Sequence, residues 1–188
     1  MDNEMFERAL SCLRAGGTLL YPTDTVWGIG CDAANDAAIE RIYSIKQRDH
    51  NKAMLVLATP QMLSSHLPEE IGKLLLQSER PTTVIMPTDL FVRPVASNLP
   101  ASDGTLGVRI PRHDFCQLLL RQFDGLIVST SANFSGMPAP MTFGDIDPEL
   151  MHCIDYHLPD IPEFSHPQTP PSQIVKIEPD GSLSKIRG

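Results

Sequence analysis

A chain of 188 residues, 41% hydrophobic and 20% charged, has room for one compact domain with a substantial core and too little for two ordinary ones. A formal net charge of -8 argues against a protein whose main task is gripping nucleic acid, and no apolar run approaches the roughly 18 residues of a membrane span. The acidic start Met1-Asp2-Asn3-Glu4 speaks against a signal peptide, and four cysteines without a Cys-x-x-Cys pair or zinc-finger histidine spacing read as reduced thiols of a cytoplasmic protein.

Along the chain, Asn3 is placed to cap a helix from about Glu4 to Ala15, with Phe6, Ala9, Leu10 and Leu13 on one face and Gly16-Gly17 as its stop. Thr18 to Tyr21 reads as a short strand broken by Pro22. Asp36 is expected to cap a second helix that runs to about Lys46. The apolar run Ala53 to Ala58 suits a strand covered on both faces. A helix from Pro68 to Gln77 and strands Thr82 to Met86 and Leu106 to Ile110 follow. Next come a helix from His113 to Gln122 and a buried strand from Leu126 to Thr130. Gln173 to Ile177 and Leu183 to Ile186 flank Pro179-Asp180-Gly181, a hairpin signal. This alternation predicts an α/β domain with a largely central sheet, residues 1–188 forming one unit. Between Gly144 and Pro171 lie six prolines and six of the 23 acids but no Lys or Arg, which reads as a loose surface excursion. The rest of the chain sets 15 bases against 17 acids, leaving room for a local basic surface.

Three polar constellations follow apolar segments. Tyr21-Pro22-Thr23-Asp24-Thr25-Val26-Trp27-Gly28-Ile29-Gly30 packs hydroxyls, a carboxylate and glycines into a turn after a strand, where α/β proteins bind ligands. Gly28-Ile29-Gly30-Cys31-Asp32-Ala33 also fits a dinucleotide fingerprint with Asp49 downstream. Pro22 interrupts the strand that should feed it, however, and the helix begins too late. Lys46-Gln47-Arg48, with Lys52 after it, offers a point charge and a bidentate fork for phosphate or carboxylate, or simply a solvated helix end. Ser129-Thr130-Ser131-Ala132-Asn133-Phe134-Ser135-Gly136 supplies small donors and acceptors, without the Gly-x-Ser-x-Gly elbow of a serine hydrolase. Arg109, placed inside a strand, calls for an acidic partner or a ligand.

In this order, and together with Thr83-Val84-Ile85-Met86, Val108-Arg109-Ile110-Pro111, Pro171-Ser172 and Ile186-Arg187-Gly188, these segments resemble the YrdC-like threonylcarbamoyl-AMP synthase family over almost the whole chain. The chain departs from the family pattern at Asp49, at Glu79-Arg80 and at Gln173. The resemblance implies a twisted, open mixed sheet flanked by helices around a concave cavity. It implies L-threonine, bicarbonate and ATP as substrates, pyrophosphate as leaving group, and downstream threonylcarbamoyl transferase proteins acting on tRNA. Lys46, Arg48, Lys52, Thr83, Asn133 and Arg187 would face ATP, with Lys46 and Arg48 catalytic. Thr25, Arg109, Ser131 and Ser172 would hold threonine. Magnesium would be carried mainly by the triphosphate, since no carboxylate cluster stands at these motifs. Two alternatives stay open. One is a paralog of the same fold with another carbamoyl or nucleotide role. The other is a module that contacts tRNA or double-stranded RNA through the concave surface.

Overall fold

The computed structural model describes residues 3–50, 52–164 and 171–187. One mixed sheet dominates it. Its strands in chain order are β1 (Leu19–Tyr21), β2 (Gly28–Gly30), β3 (Leu55–Leu57), β4 (Thr82–Pro87), β5 (Thr105–Arg109), β6 (Ile127–Ser131), β7 (Tyr156–His157), β8 (Gln173–Ile177) and β9 (Leu183–Arg187). They lie side by side in the order β7-β1-β2-β6-β3-β5-β4-β8-β9. The β1/β7, β3/β5 and β4/β8 pairs are parallel, and the remaining pairs are antiparallel. Among the described residues, five α-helices accompany the sheet: α1 (Asn3–Arg14), α2 (Asp36–Lys46), α3 (Glu69–Gln77), α4 (Asp114–Phe123) and the short α5 (Pro148–His152).

Helix α1 buries Met5, Phe6, Ala9, Leu10 and Leu13, a helical stripe that packs on α4, where Phe6 meets Phe115 edge to face with ring centres 6.1 Å apart. Helix α3 packs on β4. The sheet residues turned into this core are Val56, Val84, Met86, Leu106, Val108 and Val128, all essentially inaccessible. Their neighbours along each strand point the opposite way, because side chains alternate faces in a strand. The face they form is the one that carries the polar residues.

Three expectations change. Gly28–Gly30, read as part of a turn, is a strand paired with both β1 and β6. Gly30 is required there because a Cβ would stand 2.2 Å from the Val128 carbonyl oxygen. The second helix is capped by Asn35, whose side chain accepts from the Ala38 N–H at 3.1 Å, and Asp36 is its first helical residue. The stretch after Gly144 is not a loose excursion in its described part. Ile146, Leu150, Ile154, Leu158 and Phe164 are buried, and β7 adds to the sheet edge beside β1. Asp155 accepts from both the N–H and the hydroxyl of Thr18, at 2.8 and 2.9 Å, and pairs with Arg41 at 2.8 Å. Prolines and acids do not prevent packing when apolar residues recur between them. Residues 165–170 lie outside the described residues. Among the described residues, no helix is long and apolar enough to cross a membrane.

Candidate active site

The polar face of the sheet is the floor of a cavity of about 490 Å³, within the usual range for small-molecule sites. Strand register builds this floor in rows. Ser129, Leu55, Gly107, Ile85 and Lys176 form one row across β6, β3, β5, β4 and β8. A second row, two residues further along the strands, runs from Thr83 through Ile174 to Arg187, and Arg109 stands two residues beyond Gly107 on β5. Gly107 keeps the middle of the floor low: a Cβ there would come within 3.2 Å of Thr83 Cγ2 and 3.4 Å of Leu55 Cβ.

At one end stands Arg109, 4% exposed. Its Nη1 donates to the Thr25 hydroxyl at 2.8 Å, and its Nη2 lies 3.4 Å from an Asp24 carboxylate oxygen. The partner that the buried charge calls for is therefore the carboxylate of the Thr-Asp-Thr turn. That turn, the loop between β1 and β2, is fixed by its own hydroxyls. Thr23 donates to the Val26 carbonyl at 2.7 Å, accepts from the Thr25 N–H at 3.1 Å and shares a hydrogen bond with the Thr25 hydroxyl at 3.0 Å. Arg109 Nε has no hydrogen-bond partner, though buried. A buried donor left open in a cavity wall suits an acceptor on a ligand.

The wall at the other end is made by the C-terminus of α2 and the loop leaving β6. Gln47 takes a left-handed conformation (φ 50°) that ends the helix and sends its two cationic neighbours apart. Lys46 goes inward, is 1% exposed, and donates from Nζ to the carbonyl oxygens of Ser131 and Asn133. Its own carbonyl accepts from the Ser135 N–H at 2.8 Å. Burial, with a smaller effect from the Arg48 charge, pulls the Lys46 ammonium from the ordinary 10.5 down to about 7. Arg48 goes toward the cavity, which it lines, while its Nε and Nη2 donate to the Lys52 and Ala53 carbonyls at 2.8 and 2.9 Å. Burial lowers its pKa too. The Asn133 amide donates to the carbonyls of Phe134 and Met137, and its buried Oδ1 has no hydrogen-bond partner.

The far wall comes from the chain before and along β8 and β9. Ser172 shares a 2.8 Å hydrogen bond with Thr83, both buried, and its carbonyl accepts from Arg187 Nε and Nη2 at 3.2 and 2.8 Å. Lys176 pairs with Asp103 at 2.8 Å, and both line the cavity.

Of the residues singled out by sequence, Thr25, Arg48, Thr83, Arg109, Ser131, Asn133, Ser172 and Arg187 therefore meet in one cavity. Lys46 and Lys52 do not line it. Lys46 lies behind the wall because its ammonium is spent on two backbone carbonyls, and Lys52 is exposed on the turn after Arg48. Sequence reasoning missed Asp103 and Lys176, and it took in Ser129 as part of a polar segment without giving it a role. Lys176 was reachable, since it lies two and four residues beyond Ile174 and Ser172, and alternation along β8 puts Ile174 and Lys176 on the same face. Asp103 had no such signal, since it belongs to the turn before β5. Among the described residues, no group of three or more His, Cys, Asp or Glu side chains could hold a metal ion.

Comparison with known proteins agrees with this architecture. The model of the Sua5/YciO/YrdC family, described as "Telomere recombination", matches residues 11–187. A threonylcarbamoyl-AMP synthase of Acinetobacter baumannii is 36% identical over 139 residues, covering 68% of this chain and 72% of the relative. The crystal structure of P. abyssi Sua5 complexed with L-threonine superposes with a TM-score of 0.77 at 23% identity, over 94% of this chain. The chain spans about half of that longer protein, 52%. E. coli YciO superposes with a TM-score of 0.78 at 20% identity, over 99% of this chain and 89% of its own. With a family model matched along nearly all of its length and the shared fold recovered in space, the chain belongs to the Sua5/YciO/YrdC family.

Proposed function

We propose that the chain is a threonylcarbamoyl-AMP synthase, a nucleotidyltransferase that makes threonylcarbamoyl-AMP and pyrophosphate from L-threonine, bicarbonate and ATP. The observation that carries this reading is the charge of the cavity. Among the described residues, four cations, Arg48, Arg109, Lys176 and Arg187, line it with one carboxylate, Asp103, on a chain whose formal net charge is -8. Such a concentration of positive charge in an acidic protein suits a polyanionic ligand. The relatives named threonylcarbamoyl-AMP synthase support the same reading.

The threonine carboxylate is assigned to Arg109, whose open Nε is the buried donor at that end, with Thr25, Ser131 and Ser172 around the rest of the amino acid. Arg48, Thr83, Asn133 and Arg187 are assigned to ATP. Lys46 acts on it through the Ser131–Asn133 backbone it holds, and Lys52, exposed beside Arg48, is left for the outermost phosphate. The threonine amine attacks the bicarbonate carbon, water leaves, and a carbamate results. A carbamate oxygen then attacks the α-phosphorus, the bond to the β-phosphate oxygen breaks, and pyrophosphate departs. No protein nucleophile is needed. The wall holds three small reactants in line and neutralises the charge that moves onto the leaving group.

Magnesium is expected to arrive on the triphosphate and to neutralise charge there. Asp103, the carboxylate among the cavity-lining residues, is committed to Thr105 and Lys176 and does not form a cage for it. The activated group would pass to tRNA through a downstream transferase protein in the cytoplasm, so this step needs no direct grip on RNA.

The test is incubation of the purified chain with ATP, L-threonine and bicarbonate, following pyrophosphate and the mass of the adenylate. Pyrophosphate that requires all three substrates supports the assignment. Release that ignores threonine, or none at all, overturns it.

A further inference from the structure

We infer that Lys176 is a polyphosphate-binding residue of the cavity, which exchanges its partner Asp103 for the phosphates of an entering nucleotide. The inference rests on reading the cavity as a nucleotide site. The four cations are held in different ways. Arg109 is buried against Thr25 and Asp24. Arg187 spends two nitrogens on the Ser172 carbonyl, and Arg48 spends two on the carbonyls of Lys52 and Ala53. Those three are anchored to the framework. Lys176 alone among them is held by a half-exposed side chain, and its Nζ lies 2.8 Å from Asp103 Oδ2 with side-chain exposures of 27% and 49%.

The two oxygens of Asp103 divide their work. Oδ1 accepts from the Thr105 N–H at 3.1 Å and from the Thr105 hydroxyl at 2.6 Å, which fixes the turn entering β5. Oδ2 serves Lys176. The Lys176 ammonium and the two Thr105 donors hold the Asp103 carboxyl down at about 2, so it is ionised throughout the neutral range. Lys176 can therefore leave without dismantling the turn, and the abandoned oxygen faces water. Exposed ion pairs contribute little, whereas an ammonium on a phosphate gains a charge-assisted hydrogen bond. Position agrees with this. Lys176 ends the floor row that begins at Ser129, and its backbone is about 10 Å, two strand spacings, from Gly107 at the centre. Asp103 presets the lysine over the cavity and competes with the ligand for it.

The exchange predicts effects of opposite sign for the two partners, which a purely structural pair would not. Calorimetric titration of ATP and of inorganic tripolyphosphate is to be compared for the unchanged chain, Lys176→Ala and Asp103→Asn. Lys176→Ala should weaken both ligands about tenfold, the loss expected for one charge-assisted hydrogen bond. Asp103→Asn should not weaken them and should tighten both by about two- to threefold, because a competing negative charge has gone. L-Threonine affinity should be unchanged in both variants. Tripolyphosphate affinity in Lys176→Ala within twofold of the unchanged chain would overturn the inference, as would equal weakening in the two variants. An unchanged chain that binds tripolyphosphate through Lys176 but releases no threonine-dependent pyrophosphate would support this inference and refute the synthase reading. Normal synthase turnover with an unaltered KM for ATP in Lys176→Ala would do the reverse.

Discussion

Lys46 is the residue at which fold and site are hardest to separate, and Lys46→Met tests how they are joined. Methionine keeps the length and most of the volume of the side chain but donates no hydrogen bond. The Ser131 and Asn133 carbonyls would then lose the donor that Lys46 gives them. The Asn133 carbonyl would be left without a partner, at about 1–3 kcal/mol, while the Ser131 carbonyl keeps the Asn133 N–H at 2.9 Å and loses only its charged donor, at about 1.5–3 kcal/mol. Removing a buried ammonium returns several kcal/mol of desolvation. The net expected loss is about 2 kcal/mol, a fall of about 4–8 °C in melting temperature for a chain of this size. Proton linkage gives a second readout. The Lys46 pKa is about 7 in the folded chain, against an ordinary 10.5, so between those values the unfolded chain holds more protons. The group therefore opposes folding below pH 7, and stability rises with pH through the window from about 7 to 10.5. A neutral amine still has two N–H donors for the two carbonyls. The gap in unfolding free energy between the unchanged chain and Lys46→Met should thus widen from pH 6.5 to pH 9, measured by urea titration. Threonine-dependent pyrophosphate release should fall together with stability. Lost turnover with an unchanged melting temperature would refute the reasoning and make Lys46 a direct ligand of the phosphates.

Arg48→Lys should cut pyrophosphate release at least roughly tenfold, about 1.4 kcal/mol, because an ammonium cannot hold the Lys52 and Ala53 carbonyls and still present a planar fork to the cavity. Steady-state assays of the variant check this, and normal turnover would return Arg48 to the role of a helix end. Asp24→Ala should lower the unfolding free energy by about 3 kcal/mol in urea, since it leaves the Arg109 guanidinium buried beside no carboxylate. Adding Arg109→Met to that variant should recover part of the loss. Gly30→Ala should leave little folded protein in a thermal melt, because its methyl group would meet the Val128 carbonyl, a backbone atom that cannot swing aside.

Much of the cavity was legible because its residues follow apolar strands. Ser131 and Asn133 leave β6, Arg109 ends β5, and the Thr-Asp-Thr turn leaves β1. What was not legible depended on side-chain direction. Lys46 and Arg48 read alike as cations of a helix end, and only the left-handed Gln47 between them sends one into the framework and the other toward the cavity. The Gly28–Gly30 strand was hidden because glycine has low strand propensity, and the need for it comes from a carbonyl on β6, about a hundred residues away. The acidic stretch after Gly144 misled through composition. Leu150, Ile154 and Leu158 recur at fours, and that apolar spacing outweighed the prolines around it.

The row Ser129, Leu55, Gly107, Ile85 and Lys176 draws five neighbouring positions from five strands scattered along the chain. No short segment contains the floor, so no partly folded intermediate that lacks one of these pairings contains it either. Such long-range closures are slow to form, and the last to close completes the cavity. On the proposed reading, a nucleotide bound there would recognise only the finished sheet and would stabilise it by mass action, by about 2.7 kcal/mol at a hundredfold excess over Kd. The proposed substrate would then double as a clasp on the fold, and starving the protein of nucleotide would shorten its lifetime as well as idle it.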